Sequence, residues 1–392
     1  MNDRITVGVT RGDVAIATIW KRYLLTNYGT FFQHYALRRQ LREFGCESFR
    51  VIDANEHFGV LAILRTVIRG LVDLPRMSCP ERVGFLRNLF SVFSVAALKI
   101  RFLREYRRLI GPEHEVQNLA DAKAFIVGSD QVWTGMHRIP WGLDVPPEVP
   151  RVAYAVSADW SHCGVNADWL SWAGARLKTF SRVSIREDKG VGICKNLLHD
   201  DRIVRTVDPV FFLQKDAYLQ LAASKVSFVK PTVLCYLVNL RAPEDAKLGL
   251  LRDVASRLGC ELKIIAVQGA ERFVPARWRI PAAPVDFIRC FRDASYVITN
   301  SFHGLAFSLI FEKQFVGLTQ RDLPGADQNL RQRELLQRYE MAERLMSPSV
   351  TCDELVEALR QPIDQTSVRR ITESQVSFSR QWLKDSLREV VK

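Results

Sequence analysis

The 392-residue sequence has no long hydrophobic run. Its longest candidate, residues 88–98, lies between two basic residues and is much shorter than the about 18–20 apolar residues that a membrane-spanning helix needs. Charged residues also interrupt the N-terminus, where a secretion signal would need a continuous apolar core. We therefore expect a cytoplasmic protein that does not cross a membrane.

Several chemical motifs are missing as well. The eight cysteines show no C-x-x-C spacing, and no Cys/His cluster resembles a zinc site. We expect free cysteines in a reducing compartment, with no metal and no cofactor. The phosphate-loop, dinucleotide and serine-hydrolase patterns are all absent, so none of these chemistries is supported.

Positive charge is abundant and unevenly distributed. The chain has a net charge of +12, and residues 61–110 contain ten Lys/Arg against three Asp/Glu. Basic and apolar residues alternate there as in amphipathic helices, which could lie against an anionic membrane. The alternative is a solvated helical face beside the active cleft. Nucleic acid is not expected, because aromatic residues are poorly interleaved with the basic ones and no recognition motif is present.

Apolar runs and helical patterns alternate along most of the chain, which indicates an α/β fold with parallel sheets. Residues 4–10 read as a first strand, and 14–20 as a second strand or an elaborated loop. The further predicted strands are 47–53, 124–127, 151–156, 183–185, 232–239, 262–267, 295–299 and 315–318. The predicted helices include 167–180, 245–258, 285–294, 329–339, 352–360 and 372–391.

A chain of this length is long for one hydrophobic core, so two domains are expected. Pro209 disfavours helix at the residue before it and marks the boundary. We predict two Rossmann-like parallel-sheet domains facing a cleft, the GT-B-like arrangement. The first spans residues 1–205 with the basic helical insertion 61–110, and the second spans 206–350. Residues 351–392 form a helical tail that could pack back on the first domain.

The stretch 295–304 combines a buried strand, a polar turn and the start of a helix. A helix N-terminus presents unpaired N–H groups and can hold an anion. Ser301 and His303 stand at this position, and histidine changes protonation near neutral pH. The plainer alternative is that Ser301 or the preceding Asn300 only caps the helix.

Other polar turns follow other predicted strands: 27–29, 129–131 and 184–187. In open α/β sheets such turns line the ligand site. Arg186 closes an apolar strand, and Arg241 and Arg331 lie near such turns. Arginine can bind phosphate or carboxylate through two hydrogen bonds, although a surface ion pair is the alternative for each. Trp133 could stack on a sugar or simply pack in the core.

The chain resembles the polysaccharide pyruvyl transferase family over roughly residues 25–345. The matching positions are Asn27-Tyr28-Gly29 with Gln33, Ala36 and Leu37, GSDQVW at 128–133, YAVS at 154–157, SIRED at 184–188, DPVF at 208–211, NSFHG at 300–304 with Phe307 and Ser308, and Asn329, Arg331, Leu335 and Leu336. The departures are Asn300 where aspartate is common, Gln314 where proline is common, and residues 11–25, which look like additional sequence.

The resemblance implies transfer of a pyruvyl group from phosphoenolpyruvate to two hydroxyls of a hexose, with release of phosphate and formation of a cyclic ketal. The acceptor would be a glycan or lipid-linked oligosaccharide, a precursor of a bacterial-type surface polysaccharide or exopolysaccharide at the inner face of the plasma membrane. The oligomeric state stays open.

The resemblance also implies roles for individual residues. His303 would act as acid/base or hold the departing phosphate, and Arg186 would bind the donor's phosphate or carboxylate. Asp208 would be a base or would fix the interdomain turn. Asp130, Gln131 and Trp133 would position the sugar. The other candidate substrate-binding residues are Asn27, Gly29, Gln33, Ser129, Arg241, Ser301, Gly304 and Arg331.

Two other functions fit the same features. A GT-B glycosyltransferase that uses a nucleotide sugar would share the two-domain cleft and the anion-binding helix N-terminus. A non-catalytic module that binds polyanions would share the basic charge. A glycosyltransferase would release nucleoside diphosphate from a nucleotide sugar, whereas a pyruvyl transferase would release phosphate from phosphoenolpyruvate when a sugar acceptor is present. A binding module would keep its activity after His303→Ala, whereas the enzyme would lose it.

Overall fold

The computed structural model describes residues 14–18, 27–52, 97–111, 113–115, 119–120, 122–222, 227–267, 270–321 and 327–391. The strand predicted at 4–10 and most of the basic region 61–110 lie outside these residues. The seven cysteines within the described ranges are free.

The first half of the chain contains a sheet of seven parallel strands in the order β3-β2-β1-β4-β5-β6-β7. Its strands are β1 (Val14–Ala17), β2 (Ser48–Ile52), β3 (Glu113–Glu115), β4 (Ala124–Val127), β5 (Arg151–Val156), β6 (Arg182–Ile185) and β7 (Val204–Arg205). The chain adds strands on one side of β1 and then on the other, so the direction of winding changes between β1 and β4.

The run Val14–Ala17 is fully buried and pairs with both β2 and β4. Of the two alternatives for residues 14–20, the structure therefore shows a strand, and this strand is central. Residues 14–17 are thus an integral part of the sheet, although the stretch 11–25 to which they belong looks like additional sequence beside the family pattern. The short strand β3 has no counterpart in the sequence-based prediction.

In the described residues of this half, the helices beside the first sheet are α1 (Tyr28–Glu43), α2 (97–109), α3 (Trp160–Cys163), α4 (Ala167–Leu177) and α5 (Asp188–Leu198). Asn27 caps the N-terminus of α1, because its side-chain oxygen accepts a hydrogen bond from the N–H of Thr30 at 3.2 Å. Thirteen of its sixteen residues are buried. Because α1 is buried on nearly all sides, its buried polar side chains contact other protein groups and not solvent.

The second half contains five parallel strands in the order β12-β11-β10-β8-β9. They are β8 (Thr232–Val238), β9 (Glu261–Val267), β10 (Tyr296–Thr299), β11 (Gln314–Leu318) and β12 (Leu345–Met346). Its helices are α6 (Lys215–Ala222), α7 (Leu248–Arg257), α8 (Pro284–Asp293), α9 (Phe302–Ile310), α10 (Leu330–Arg338) and α11 (Cys352–Arg360). The winding direction changes between β8 and β10. The predicted fold of two Rossmann-like, GT-B-like parallel-sheet domains is confirmed.

Aromatic packing joins the two halves. Tyr28 stacks on Phe287 of α8 with ring centroids 4.4 Å apart, and its hydroxyl donates a hydrogen bond to the carbonyl of Ala282 at 2.7 Å. One continuous hydrophobic cluster contains residues of α1, β1 and the second sheet. The N-terminus of α1 is therefore held by residues from both halves.

The last helix, α12 (Gln365–Val390), lies against the first half. The hydroxyl of Ser379 accepts a hydrogen bond from the N–H of Val207 at 3.0 Å. Trp382 contacts Tyr154 with ring centroids 6.1 Å apart. No helix in the described part of the chain combines the length and the hydropathy needed to cross a membrane.

Candidate active site

Two of the predicted polar turns lie where the winding direction of a sheet changes. Residues 128–130 follow β4, beside β1, and residues 300–303 follow β10, beside β8. Ligands of doubly wound sheets bind at the carboxyl ends of strands at these points. The two sets of turns meet at the interface between the halves.

Asp208 is at the centre of this interface and its side chain is fully buried. Its Oδ2 accepts hydrogen bonds from Gln33 Nε2 at 2.5 Å and Arg186 Nη1 at 2.7 Å. Ser129 Oγ is 3.3 Å away, and His303 Nε2 is 3.6 Å away. Asp208 is thus surrounded by Gln33, Arg186, Ser129 and His303, and all five are candidate site residues from the sequence. The other oxygen, Oδ1, accepts from the N–H of Val210 at 3.1 Å, so Asp208 also fixes the turn after β7.

Arg186 is 1% exposed and is held on several sides. Besides Asp208, its Nε donates to Glu187 Oε1 at 2.7 Å, and its guanidinium carbon lies 4.2 Å from the ring centroid of Phe302. Trp160 Nε1 donates to the other oxygen of Glu187 at 2.7 Å. Within the described residues, Arg186 Nη2 is buried without a hydrogen-bond partner. This N–H group is oriented and available for a ligand.

His303 reaches from the second half into the first. It is 6% exposed, and its ring lies so close to Gly29 that a Cβ there would be 2.1 Å from Nδ1. Only glycine at this position lets the imidazole approach α1. Its Nε2 has no hydrogen-bond partner among the residues described.

The N-terminus of α9 adds backbone donors beside His303. Ser301 is its N-cap residue, but its side chain makes no capping hydrogen bond. The N–H of Ser301 donates a hydrogen bond to Thr299 Oγ1 at 3.1 Å. The same oxygen lies against Gly304, because a Cβ at that position would be only 2.0 Å from it. The first-turn N–H groups of α9 thus carry no side-chain cap and suit an anion.

Asp130 forms a second carboxylate next to the Asp208 cluster. Thr30 Oγ1 donates to its Oδ2 at 2.9 Å, and Arg331 Nη1 on α10 is 3.9 Å from its Oδ1. The N–H of Gln131 donates to the same Oδ1 at 2.9 Å. Asp130 has a φ of 70°, a left-handed conformation that the turn after β4 imposes.

The surrounding charges keep both carboxylates ionised. Burial raises the pKa of Asp208, but its contacts with His303 and Arg186 outweigh burial and leave the pKa well below its usual value. Burial likewise raises the pKa of Asp130, and the charges of His303, Arg186 and Arg331 lower it overall. Burial lowers the pKa of Arg186, but Glu187 and both aspartates raise it well above the ordinary value. The site therefore holds ionised groups of both signs.

Other predicted residues lie around this cluster. Asn27 caps α1, and Gln131 is partly buried in the turn after Asp130. Trp133 is fully buried and stacks on Trp141 with centroids 4.6 Å apart, so it packs in the core and presents no exposed ring face to a sugar. Arg241 is exposed and lines a separate cavity beside the second sheet.

Three further residues contribute to the site without having been singled out from the sequence. Thr30 directly follows the predicted turn 27–29, and Phe302 lies within the predicted turn 300–303, so their positions beside a helix N-terminus were the available signal. Glu187 belongs to the quoted SIRED segment, but its contact with Arg186 requires the pair to be buried together. No group of three or more His, Cys, Asp or Glu residues within the described ranges is placed to hold a metal ion.

Comparison with known families identifies the chain. The family model described as polysaccharide pyruvyl transferase matches residues 27–322. The chain belongs to the polysaccharide pyruvyl transferase family. The match begins at the N-cap of α1 and includes Asp130, Arg186, Asp208 and His303. A comparison with curated proteins finds no match.

Among solved structures, the transferase is similar to MurG from Acinetobacter baumannii, with 11% identity, coverage of 96% of this chain and 99% of that one, and a TM-score of 0.44. Os79 from O. sativa in complex with UDP shows 12% identity, coverage of 94% and 95%, and a TM-score of 0.44. UDP-GlcNAc 2-epimerase from Neisseria meningitidis bound to UDP-GlcNAc shows 10% identity, coverage of 93% and 100%, and a TM-score of 0.44.

Proposed function

We propose that the chain transfers a pyruvyl group from phosphoenolpyruvate to two hydroxyls of one hexose in a surface-polysaccharide or exopolysaccharide precursor. A proton is added to the methylene carbon, and the first hydroxyl oxygen bonds to the neighbouring carbon. The bond from that carbon to the phosphate oxygen then breaks, and the second hydroxyl closes the ketal. The two hydroxyls lose two protons: one is matched by the proton that forms the new methyl group, and the other is taken up by the released phosphate.

The observation that carries this proposal is a buried set of cationic groups around Asp208 with unused donors. Arg186 Nη2 and His303 Nε2 are buried and have no hydrogen-bond partner among the described residues. Arg331 Nη1 on the same side of the site lies 3.9 Å from Asp130 Oδ1. Phosphoenolpyruvate carries a phosphate and a carboxylate, and two arginines plus a helix N-terminus are suited to both.

We assign the proton transfers to His303. Its Nε2 lies 3.6 Å from Asp208, whose carboxylate is ionised because its pKa is lowered. An ionised carboxylate beside an imidazole orients the ring for proton transfer, as general acid–base catalysis requires. The proton would go to the methylene carbon or to the departing phosphate, and both lie within one small substrate.

The acceptor sugar is assigned to the side of Asp130. Its carboxylate is partnered by Thr30 and faces Arg331, and Gln131 follows it. An ionised carboxylate accepts hydrogen bonds from sugar hydroxyls, and an amide side chain both accepts and donates them. Asp130 and Asp208 are ionised carboxylates that can accept a hydrogen bond from an attacking hydroxyl, while the neighbouring Glu187 is bound to Arg186.

We further propose peripheral contact with an anionic membrane, where a lipid-linked acceptor would be found. In the described part of the basic region, Arg104, Arg107 and Arg108 of α2 are exposed, and Ile100 on the same helix is 53% exposed. Cations together with an apolar side chain on one helix suit a surface of anionic lipid headgroups.

The decisive experiment incubates the purified chain with labelled phosphoenolpyruvate or with labelled nucleotide sugars, each with and without glycan acceptors. Acceptor-dependent phosphate release is the expected result. Nucleoside diphosphate release would instead assign a glycosyltransferase, and no release from either donor would leave the polyanion-binding alternative. Mass spectrometry should also find the pyruvate ketal missing from the glycan of a strain that lacks the protein.

The matched variants are His303→Ala and His162→Ala. His162 is exposed on α3, whereas His303 lies beside Asp208. We expect His303→Ala to lower the rate of phosphate release by about 10²-fold or more, as for removal of a general acid–base group, and His162→Ala to leave it unchanged. Equal rates for the two variants would remove His303 from the mechanism.

A further inference from the structure

A separate cavity of about 500 Å³ lies at the carboxyl edge of the second sheet. Its walls come from the ends of β8 and β11, the segment before α7, and Asn300. It adjoins the candidate active site, because Asn300 immediately precedes Ser301. The carbonyl of Asn300 accepts hydrogen bonds from Gln320 Nε2 at 2.7 Å and Gln332 Nε2 at 3.1 Å. The wall between cavity and active site is thus fixed.

The cavity is lined by polar side chains around a small apolar patch. Three leucines, Leu237, Leu240 and Leu318, form the apolar patch. The hydroxyl and amide side chains are Asn239, Asn300, Thr319, Gln320 and Gln328. No aromatic ring is among the described residues that line it, so a nucleobase would lack a stacking partner. Alternating amide, hydroxyl and aliphatic groups suit a hydroxyl-rich ligand instead.

Charge in the cavity favours an anion. The carboxylate of Asp245 is already bound by protein groups. Its Oδ2 accepts hydrogen bonds from the backbone N–H groups of Arg241 and Ala242, both at 3.0 Å, and its Oδ1 lies 3.7 Å from the guanidinium of Arg321. Among the described lining residues, the side chains of Arg241 and Lys247 have no ion pair, and Glu244 is the one carboxylate besides Asp245. These described residues therefore leave one positive charge over.

We propose that this cavity binds an anionic saccharide unit of the glycan acceptor, one that neighbours the sugar carrying the ketal. The inference rests on the proposed function, because it takes the occupant to be part of the acceptor. The acceptor would then extend from Asp130 and His303 past Asn300, and Arg241 and Lys247 would recognise its acidic group. That group is a carboxylate or a phosphate on a sugar.

The test measures binding without turnover. Three probes are titrated into the full chain by calorimetry at low salt: a disaccharide with one uronic acid, its neutral counterpart, and a hexose 1-phosphate. We expect the wild type to bind an anionic probe about five- to tenfold more tightly than the neutral disaccharide. A preference for the uronate or for the phosphate identifies the source of the charge. Equal binding of all three, or no binding, would overturn the proposal.

The double variant Arg241→Ala/Lys247→Ala should bind anionic and neutral probes equally. Its control is Arg252→Ala/Arg277→Ala, which removes two exposed positive charges from the same half outside the cavity and should behave as the wild type. Retained discrimination in the first double variant would contradict the assignment.

Phosphate release separates this inference from the proposed function. If the chain releases phosphate and the first double variant keeps the wild-type KM for an acidic acceptor, the cavity assignment fails and the proposed reaction stands. If no acceptor supports phosphate release while the probes bind as expected, the reaction fails and the cavity remains a site for anionic saccharides.

Discussion

Asp208 carries more contacts than any other polar residue of the site. It accepts hydrogen bonds from Gln33, Arg186 and the N–H of Val210, and it faces His303. When one member of a buried carboxylate–arginine pair is neutralised, the charge of the other member stays buried without compensation, and the protein is destabilised. Asp208 is therefore expected to matter for stability as well as for activity.

We predict that Asp208→Asn lowers the free energy of unfolding by about 3 kcal/mol at pH 7. Because the pKa of Asp208 is lowered in the folded protein, its ionised form stabilises the fold above the ordinary carboxyl pKa of about 4. This contribution is lost as the pH falls below that value. Urea unfolding of both proteins between pH 7 and pH 3 should show the difference shrinking in acid.

The control for this change is Asp253→Asn. Asp253 forms an exposed ion pair with Arg252 at 2.8 Å, and its substitution should change the stability by no more than about 0.5 kcal/mol. A difference between wild type and Asp208→Asn that stays constant from pH 7 to pH 3 would contradict the role of the ionised carboxylate.

We predict that Gly29→Ala lowers kcat/KM for phosphate release by about 10²-fold while the protein stays folded, because displacement of a catalytic group by 1 Å can have this effect. The new Cβ would meet the ring of His303 and push it from Asp208.

Gly192→Ala on α5 is the matched control, since no atom lies within 4 Å of its Cβ position. It should stabilise the helix by about 0.5–1 kcal/mol and leave activity unchanged, and an equal loss in both variants would argue against the steric explanation.

At the scale of elements, helices of one half complete sites in the other. Helix α10 places Arg331 beside Asp130, and the Glu334 carboxylate accepts hydrogen bonds from the N–H groups of Asp188 and Lys189 at 2.6 and 3.2 Å. Glu334 thus caps α5, which begins immediately after Arg186 and Glu187. The position of Arg186 depends on both halves.

Helix α12 should stabilise the first half through its buried face. Leu383 is fully buried, and Leu383→Ala is expected to lower the free energy of unfolding by about 2–5 kcal/mol. Phe378 on the same helix is 50% exposed, and Phe378→Ala should change it by no more than about 0.5 kcal/mol. Urea unfolding monitored by circular dichroism measures both, and equal effects would contradict the packing of α12.

At the scale of the whole molecule, the net charge of +12 and the exposed arginines of α2 predict binding to anionic vesicles at low salt. In sedimentation, the chain should bind to vesicles that contain anionic lipid and should not bind to neutral vesicles. High salt should release it, because salt screens exposed charges. Replacing Arg104, Arg107 and Arg108 by Glu should weaken binding by at least about 10²-fold, at about 1 kcal/mol per basic residue.

Arg252→Glu, on an exposed surface of α7, serves as the control for general loss of charge and should weaken vesicle binding far less. Binding to neutral and anionic vesicles alike, or binding that high salt does not reverse, would exclude the electrostatic contact with the membrane.

The sequence by itself determined the alternation of strands and helices, the parallel sheets and the polar turns that hold the site. These features follow from short-range patterns: apolar runs at the strands, polar turns such as 300–303 after them, and a capping residue such as Asn27 before α1. The same local patterns carry the resemblance to the family. Residues 14–17 show the limit, because a run of four apolar residues cannot indicate whether it is a central strand or a loop.

Only the tertiary structure decided which of the polar residues meet. Asp208, Arg186 and His303 lie far apart in the sequence, and their contact results from two sheets joined through α1 and an aromatic interface. Burial also decided between the two roles of Trp133, because the stacking of its ring on Trp141 depends on packing with distant residues. Arg241 belongs to a different cavity for the same reason: its neighbours come from strands and loops that the chain order does not place together.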